Sequence, residues 1–174
     1  MKNISRKISY LLRHNPEDLK MDKQGWVYIC QLIEKLNIPL SVLEEIVEKN
    51  DKKRFSFDTN KIKIRANQGH SNSLNLDIMF KEVQYTKTYY HGTNKINIES
   101  ILNNGLTPKS RAYVHLSKDK ETAENVGLRH GKDVVILSID DNKMKKDGKK
   151  IYESENGVIL ADYISPKYIQ LWKK

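Results

Sequence analysis

The chain has 174 residues, of which 38% are hydrophobic and 30% charged, and its formal net charge at pH 7 is +9. This composition is typical of a soluble globular protein, and no run of residues has the length and apolarity of a membrane span. The first residues contain no apolar core of a secretory signal, so we expect a cytoplasmic protein. The positive surplus favours a polyanionic partner, nucleic acid above all, although a solvated lysine-rich surface has the same composition.

Cysteine and histidine usage argues against disulfides and metal centres. Cys30 is the single cysteine, which excludes an intrachain disulfide and a multi-cysteine zinc site. It falls within an amphipathic stretch, so we expect a small thiol in the core and not a nucleophile. The five histidines lack the spacing of zinc ligands, and we therefore expect no metal.

Residues 1–66 predict three helices in sequence. Apolar residues at helical spacing predict a first helix that ends before Asn15-Pro16, because the residue before proline avoids the α region. A short extended piece follows at Gly25-Trp26-Val27. The apolar stripe from Ile29 to Leu36 predicts a second helix, and the capping-box pattern Ser41-Val42-Leu43-Glu44 predicts that a third helix opens at Ser41.

After the third helix the period of the apolar residues changes from about 3.6 to about 2, which predicts a hairpin. Its two apolar pairs are Phe55 with Phe57 and Ile62 with Ile64, on either side of a turn at Thr59-Asn60. Three helices followed by a hairpin is the order of a winged-helix unit. The basic residues of the hairpin would project together from its open face, which suits a phosphate backbone but is also ordinary for a solvent-facing strand: Lys61, Lys63 and Arg65.

Residues 71–88 have weak periodicity and mark a lobe boundary, which we place between residues 75 and 76, giving lobes of residues 1–75 and 76–174. The second lobe has short strands and helices in alternation. A helix ends at Asn104-Gly105, and a buried strand runs from Val134 to Ile139. The turn dipeptides Asp147-Gly148 and Asn156-Gly157 predict hairpin connections.

Every histidine lies at the end of a periodic segment or beside glycine or arginine. A lone histidine is usually a surface residue or a satisfied core residue, and we keep that interpretation for His70 and His130. Arg13-His14 lies where the first helix ends. An arginine fork matches a phosphate and a histidine exchanges a proton near neutral pH, but both residues also simply offset a helix dipole at this position.

Five motifs occur in a fixed order along the chain: Leu12-Arg13-His14, Arg65-Ala66-Asn67-Gln68-Gly69-His70-Ser71, Tyr90-His91-Gly92-Thr93, Val114-His115-Leu116-Ser117 and Val126-Gly127-Leu128-Arg129-His130-Gly131. In these motifs and their order the chain resembles the RNA 2′-phosphotransferase family. The match continues through Asp147-Gly148, Tyr152, Ser154 and Asn156-Gly157-Val158 and so spans nearly the whole chain.

The resemblance implies an α+β protein with an N-terminal winged-helix lobe that binds RNA and a C-terminal lobe with the ADP-ribosyltransferase fold that binds NAD. It also implies a two-step reaction. An internal RNA 2′-phosphate first attacks C1″ of the nicotinamide ribose and expels nicotinamide. The ribose 2″-hydroxyl then attacks that phosphate, which frees the RNA 2′-hydroxyl and yields ADP-ribose 1″,2″-cyclic phosphate. NAD would be consumed as a co-substrate by a monomeric chain without a metal. Spliced tRNA is the substrate usually assigned to the family.

By the same resemblance, a catalytic tetrad corresponds to Arg13, His14, Arg65 and Arg129. Three guanidinium groups suit a dianionic phosphate, and His14 suits the proton transfer of the second step. The residues that match the NAD-binding positions of the family are His91, Gly92, Thr93, His115, Leu116, Ser117 and Val158. Many ADP-ribosyltransferases have a glutamate where Val158 stands, and Glu153 and Glu155 lie close to it in sequence.

Two other functions are compatible with parts of the sequence. A non-enzymatic winged-helix nucleic-acid binder would account for the helix order and the charge, but it leaves the His91-Gly92-Thr93 and Arg129 motifs without a role. An ADP-ribosyltransferase that stops after the first step would leave a stable ADP-ribosylated product and would have little need for His14.

Overall fold

The structure is a computed structural model that describes residues 2–172 and divides the chain into two units. The N-terminal unit comprises the chain up to Met79 together with Ser110–Ala112, and the C-terminal unit comprises Phe80–Lys109 with the chain from Tyr113 onward. Helices occur beside antiparallel sheets, as expected for an α+β protein. Among the described helices, none has both the length and the apolarity needed to cross a membrane.

The N-terminal unit contains the three predicted helices and a small sheet. Its elements are α1 (Lys2–Arg13), β1 (Val27–Tyr28), α2 (Ile29–Leu36), α3 (Leu40–Glu48), β2 (Phe55–Phe57) and β3 (Lys63–Ala66), followed by a 3-10 helix (Asn72–Leu74). The strands form an antiparallel sheet in the order β1-β3-β2. Apolar residues at helical spacing place one stripe of α1 in the core, where Ile8, Leu11 and Leu12 are fully buried. The predicted helix periodicity and the hairpin are therefore confirmed.

Two predictions about the helices of this unit are wrong. The third helix does not open at Ser41, because Pro39 is its N-cap and the Pro39 carbonyl accepts a hydrogen bond from the Val42 N–H over 3.1 Å. Proline loses no hydrogen bond at a helix start, so it initiates the helix ahead of the capping-box pattern. Cys30 is exposed and does not lie in the core, since α2 buries its neighbours Ile29 and Leu32 instead.

The predicted basic face of the hairpin is only partly formed. Lys61 lies in the connecting turn with a φ of +51°, and Ile62 is 53% exposed, so neither belongs to β3. Lys61 pairs with Glu44 over 3.7 Å, and Lys63 pairs with Asp22 over 3.2 Å. These acidic partners offset the charge of two of the three basic residues that the alternation had grouped together.

The C-terminal unit contains two antiparallel sheets. Its strands are β4 (Lys81–Glu82), β5 (Thr88–Asn94), β6 (Val114–Leu116), β7 (Val134–Asp140), β8 (Tyr152–Glu153), β9 (Ile159–Ala161) and β10 (Ile169–Leu171). Its helices are α4 (Ile98–Asn104), α5 (Lys120–Gly127) and α6 (Asp141–Lys146), with 3-10 helices at Lys95–Asn97, Leu128–His130 and Pro166–Tyr168. The strand orders are β10-β7-β5 and β4-β8-β9-β6. One apolar cluster draws residues from both sheets, among them Tyr89, Leu116, Leu137, Ile139 and Ile159.

In the C-terminal unit the predicted helix end at Asn104-Gly105 and the hairpin turn at Asn156-Gly157 are confirmed, but Asp147-Gly148 follows α6 and does not join two strands. Helix α4 ends at Gly105, which has a φ of +82° that favours glycine. Asp119 caps α5 by accepting a hydrogen bond from the Thr122 N–H over 2.7 Å. Strands β8 and β9 form a hairpin around Asn156-Gly157. Helix α6 was not predicted, although Asp140 caps it by accepting from the Lys143 N–H over 2.9 Å.

Candidate functional site

The end of α1 meets the loop that follows β3. The Ser71 N–H donates a hydrogen bond to the Arg13 carbonyl over 2.7 Å, and the Ser71 hydroxyl is hydrogen-bonded to Nδ1 of His14 over 2.8 Å. These two contacts join the first motif of the chain to the last residue of the second. Ser71 was not predicted as a site residue, and its only signal in the sequence is its place at the end of the string that begins at Arg65.

Glycine lets this loop approach the guanidinium group of Arg13. Gly69 has a φ of +86°, which favours glycine, and a β-carbon at that position would lie 3.7 Å from Nε and Cζ of Arg13. The backbone of the loop therefore lies beside the Arg13 side chain. Nε and Nη2 of Arg13 are buried and have no hydrogen-bond partner within residues 2–172. Buried donors without an acceptor are costly, so they are suited to a ligand that supplies one.

The electrostatics of this cluster are dominated by positive charge. Burial, together with the charges of Arg54 and Arg111, lowers the pKa of Arg13 to about 10. Partial burial also lowers the pKa of His14, with Arg13 and Arg111 as the next causes. An arginine with a pKa near 10 still carries its charge at neutral pH, whereas His14 is mainly neutral there. His14 can thus accept a proton at neutral pH.

His70 lies within this cluster, although the sequence interpretation treated it as an ordinary surface or core histidine. It is 5% exposed, and its Nε2 is buried with no hydrogen-bond partner in the described part of the chain. Burial lowers its pKa to about 4, and the charges of Arg13, Arg65 and His14 act in the same direction. His70 is neither a surface residue nor a satisfied core residue. The neighbours whose charges shift the pKa values of Arg13, His14 and His70 are all basic side chains, with no carboxylate among them.

Arg65 lies on β3, where Trp26 packs against it. The guanidinium carbon of Arg65 is 4.4 Å from the centroid of the Trp26 ring, which is a cation–π distance. The structure thus brings Arg13, His14 and Arg65 of the predicted tetrad together around His70. A cluster with two charged arginines, whose buried Arg13 donors have no acceptor in the part of the chain that the structure describes, is chemically suited to a polyvalent anion such as a phosphate.

The C-terminal unit brings two of the predicted motifs together on neighbouring strands. Tyr90 of β5 and Ser117, just after β6, exchange backbone hydrogen bonds of 2.9 and 2.8 Å. This pairing places His91 beside the end of β6, where Nδ1 of His91 lies 3.1 Å from the carbonyl oxygen of His115. A carbonyl only accepts, so Nδ1 is the donor in this contact.

The protonation state of His91 follows from its surroundings. Burial is the first cause of its lowered pKa, and the charges of His130 and Lys109 lower it further, against the opposing effect of the His115 carbonyl. His91 is therefore neutral at pH 7, and with its proton on Nδ1 its Nε2 is an acceptor. Such a nitrogen can take a hydrogen bond from the hydroxyl of a ribose.

Gly92 lies where β5 and α5 make their closest approach. A β-carbon at Gly92 would lie 1.8 Å from the carbonyl oxygen of Ala123, so no side chain fits there. Thr93 is buried, and its hydroxyl accepts a hydrogen bond from Nδ2 of Asn97 over 3.2 Å. The His91-Gly92-Thr93 motif is thus held by packing against α5 and by a side-chain hydrogen bond within the same unit.

The remaining predicted NAD residues lie around β6 and β9. Leu116 is 3% exposed, so its side chain belongs to the core and only its backbone is available to a ligand. Leu116 pairs with Ile159, and the next step of that register puts Val158 opposite Ser117. The Val158 N–H donates to Oγ of Ser154 over 3.1 Å. The predicted residues of β6 therefore adjoin Val158, the position at which many ADP-ribosyltransferases have a glutamate.

Neither Glu153 nor Glu155 occupies the place of the Val158 side chain. Glu153 forms an ion pair with Lys118 and accepts a hydrogen bond from the Tyr85 hydroxyl over 3.2 Å. The hydrogen bond from Lys118 is the first cause of the lowered pKa of Glu153. Glu155 is exposed in the turn between β8 and β9.

Arg129 lies in the C-terminal unit, in the 3-10 helix Leu128–His130, and is exposed. Gly127 and Gly131 flank this segment. A β-carbon at Gly127 would lie 2.6 Å from Cγ1 of Val134, and one at Gly131 would lie 2.1 Å from Nδ2 of Asn94. The two glycines therefore permit the close packing that holds the Arg129 segment. Within residues 2–172, no group of three or more His, Cys, Asp or Glu side chains is arranged to hold a metal ion.

Comparison with known proteins gives a family match over most of the chain. Residues 1–163 match the family described as RNA 2′-phosphotransferase, Tpt1 / KptA family. A protein of Fusobacterium nucleatum subsp. nucleatum named probable RNA 2′-phosphotransferase is 47% identical, with 96% of this chain and 96% of that protein covered. Proteins with the same name from Flavobacterium johnsoniae and Trichormus variabilis are 46% and 43% identical, and each comparison covers 97% of this chain, with 95% and 94% of those proteins.

Proposed function

The chain belongs to the RNA 2′-phosphotransferase family, and on that premise we propose that it removes an internal 2′-phosphate from RNA by transferring it to ADP-ribose derived from NAD. The observation that carries the proposal is the cluster of Arg13, His14, Arg65 and His70, in which two charged arginines lie beside two histidines that are neutral at pH 7. It holds buried Arg13 donors for which residues 2–172 supply no acceptor. A dianionic phosphate would supply both the missing acceptors and the missing negative charge.

In this proposal the RNA 2′-phosphate is bound by the guanidinium groups of Arg13 and Arg65, with Arg129 as a further catalytic residue. The first step needs little base catalysis, since the phosphate that attacks C1″ of the nicotinamide ribose is already an anion. In the second step the ribose 2″-hydroxyl attacks the phosphorus and must lose a proton. His14 accepts it, because the lowered pKa of His14 keeps the imidazole neutral at pH 7. The arginines stabilise the charge that grows on the phosphate oxygens.

NAD supplies the ribosyl carbon that accepts the phosphate, and it is consumed in the reaction. We propose that it is bound by His91, Gly92, Thr93, His115, Leu116, Ser117 and Val158. The neutral His91, with Nε2 as an acceptor, supports a contact with a ribose hydroxyl. Gly92 can contribute only its main chain to the site, because the backbone of Ala123 fills the space that a side chain would take.

We further propose that residues 1–75 act as a winged-helix RNA-binding domain and residues 76–174 as an ADP-ribosyltransferase-like domain. Three helices combined with an antiparallel sheet in the order β1-β3-β2 support the first assignment. The two small antiparallel sheets that carry the His91 and His115 motifs support the second. The limits of these domains are tested by expressing residues 1–75 alone and measuring whether they fold and bind RNA.

The test of the proposed function is incubation with a short RNA that carries one internal 2′-phosphate, with and without NAD. The expected products are RNA with a 2′-hydroxyl, nicotinamide and ADP-ribose 1″,2″-cyclic phosphate, formed only when NAD is present. The same RNA without the 2′-phosphate is the control and should release no nicotinamide. A stable ADP-ribosylated RNA as the sole product would contradict the second step. RNA binding without consumption of NAD would indicate the non-enzymatic binder.

A further inference from the structure

One face of the sheet in the N-terminal unit carries two pairs of an aromatic ring and a cation. Strands β1 and β3 pair antiparallel, with Val27 opposite Ile64 and Tyr28 opposite Lys63. The next step of this register puts Trp26 opposite Arg65. Val27 and Ile64 are fully buried, so the residues on either side of them along each strand project from the opposite face. Trp26 and Tyr28 therefore share a face with Lys63 and Arg65.

Both cross-strand pairs are in contact. The centroid of the Trp26 ring is 4.4 Å from the guanidinium carbon of Arg65, and the centroid of the Tyr28 ring is 5.1 Å from Nζ of Lys63. A planar guanidinium group stacks on an indole ring and keeps its N–H donors at its edge, whereas an ammonium group is a point charge that the ring attracts without orienting. The Trp26 contact can thus fix the plane of its partner, and the Tyr28 contact cannot.

The backbone of Trp26 is held by a turn built on Asp22. Oδ1 of Asp22 accepts hydrogen bonds of 3.0 Å from the N–H groups of Gln24 and Trp26, and the Trp26 carbonyl accepts one of 3.0 Å from the Asp22 N–H. Gly25 completes the turn with a φ of +79°. A β-carbon at Gly25 would lie 3.4 Å from Nε2 of His70, so the same turn also lies against the buried histidine of the arginine–histidine cluster.

We propose that Trp26 is a positioning residue, whose indole ring fixes the plane of the Arg65 guanidinium group so that its N–H donors face the RNA 2′-phosphate. This inference rests on the proposed function, because it takes Arg65 as a ligand of that phosphate. A long side chain that is stacked before the substrate binds loses less conformational entropy on binding. Trp26 thereby acts on the reaction through Arg65, without contact with the reacting atoms.

The chain offers a matched control for this inference. Tyr28 stacks on Lys63 from the same strand and on the same face, and Lys63 also pairs with Asp22 over 3.2 Å. Lys63 is not among the proposed phosphate ligands. Removing the Tyr28 ring therefore removes a ring–cation contact from the same face of the sheet, while the Trp26 ring still fixes the plane of the Arg65 guanidinium group.

The kinetic experiment compares Trp26→Leu, Trp26→Phe and Tyr28→Leu in single-turnover reactions with the 2′-phosphorylated RNA and saturating NAD. Trp26→Leu is expected to lower the rate about tenfold, as the loss of a cation–π contact implies. Trp26→Phe restores a flat ring and should recover most of that loss. Tyr28→Leu should react at the wild-type rate. A wild-type rate for Trp26→Leu, or an equal loss in Trp26→Phe and Trp26→Leu, would overturn the inference.

A spectroscopic experiment tests the contact without relying on turnover. The chain has two tryptophans, so Trp172→Phe leaves Trp26 as the single fluorescent indole. Titration with 2′-phosphorylated RNA should change the Trp26 emission, and adding Arg65→Ala should abolish the change. An unchanged emission during saturating binding contradicts the inference. The Trp26 emission could change in an Arg65-dependent way while the wild-type protein fails to remove the 2′-phosphate from the RNA. That result would support the contact between Trp26 and Arg65 and would contradict the proposed function.

Discussion

The imidazole of His14 and the hydroxyl of Ser71 are joined by a 2.8 Å hydrogen bond, although 57 residues separate them along the chain. His14 lies just beyond the end of α1, where its ring would otherwise turn freely. When Nδ1 carries the proton and donates it to the Ser71 hydroxyl, Nε2 of the neutral ring is unprotonated and can accept a proton from a substrate. Because Ser71 also donates its N–H to the Arg13 carbonyl, one residue fixes both members of the Arg13-His14 motif.

Replacing Ser71 with alanine should slow the step in which His14 accepts a proton. A neutral hydrogen bond contributes about 0.5–1.5 kcal/mol, which corresponds to a fall of about 2- to 10-fold in that step. In Ser71→Ala, RNA-2′-phospho-ADP-ribose should therefore accumulate transiently, as resolved by gel electrophoresis during a time course. Ser73→Ala alters an exposed serine of the next 3-10 helix and serves as the control. Equal time courses for both variants would remove the orienting role of Ser71.

The lowered pKa of His70 predicts a pH dependence of stability. Unfolded His70 binds a proton near pH 6.5, whereas the buried side chain binds one only near pH 4. The unfolded state therefore holds more protons between these values, and the free energy of unfolding falls as the pH falls through this interval. The expected loss is about 3 kcal/mol between pH 7 and pH 4. Urea denaturation at a series of pH values measures it.

The variant His70→Asn isolates this contribution, because it removes the titrating group. Protonation of residue 70 no longer contributes to the free energy of unfolding of this variant. That free energy should therefore decline less between pH 7 and pH 4 than the free energy of unfolding of the wild type. His130→Asn changes an exposed histidine and is the matched control, with the wild-type slope expected. A wild-type slope in His70→Asn would show that His70 is not the origin of the effect.

Gly92→Ala should destabilise the C-terminal unit and weaken NAD binding. The new methyl group would lie 1.8 Å from the Ala123 carbonyl oxygen, so α5 must move away from β5. Overpacking against a backbone atom is expected to cost about 3 kcal/mol, measured by urea denaturation. Gly148→Ala introduces a methyl group into open space at a φ of +71°, and it should cost only about 1 kcal/mol of backbone strain. Equal losses in the two variants would contradict the packing argument.

Arg65→Ala should leave NAD binding intact and remove transition-state stabilisation of about 3 kcal/mol, a fall of about 100-fold or more in turnover. Calorimetry with NAD and single-turnover rates measure the two effects separately. Arg6→Ala replaces an exposed arginine of α1 and controls for the loss of one positive charge. A rate near that of Arg6→Ala would exclude Arg65 from the phosphate site.

Arg129→Ala is expected to show the same pattern as Arg65→Ala, because both are proposed to stabilise charge on one transferred phosphate. Lys132→Ala, at an exposed neighbouring position, is the control. The double variant Arg65→Ala/Arg129→Ala measures their coupling, and residues that act as one unit give a loss smaller than the sum of the two single losses. Additive losses would indicate that the two arginines act independently.

Most helix and strand positions of this protein follow from its sequence, because they depend on local periodicity. The apolar stripe of α1, the hairpin of β2 and β3 and the glycine that ends α4 were all predicted on that basis. Local signals failed where two of them competed: Pro39 begins α3 ahead of the capping-box pattern at Ser41. The order of the motifs also identified the family, because it is a property of the sequence alone.

Which of these local features come into contact depends on tertiary packing. Periodicity predicted that Cys30 lies in the core, but the packing of α2 leaves Cys30 exposed. Periodicity also predicted that Lys61 lies on a strand, whereas Lys61 lies in the turn before β3. The burial of His70 among cations and its contact with the turn at Gly25 depend on contacts between distant segments. Such contacts depend on packing energies summed over the whole unit, so they cannot be predicted from a short stretch of sequence.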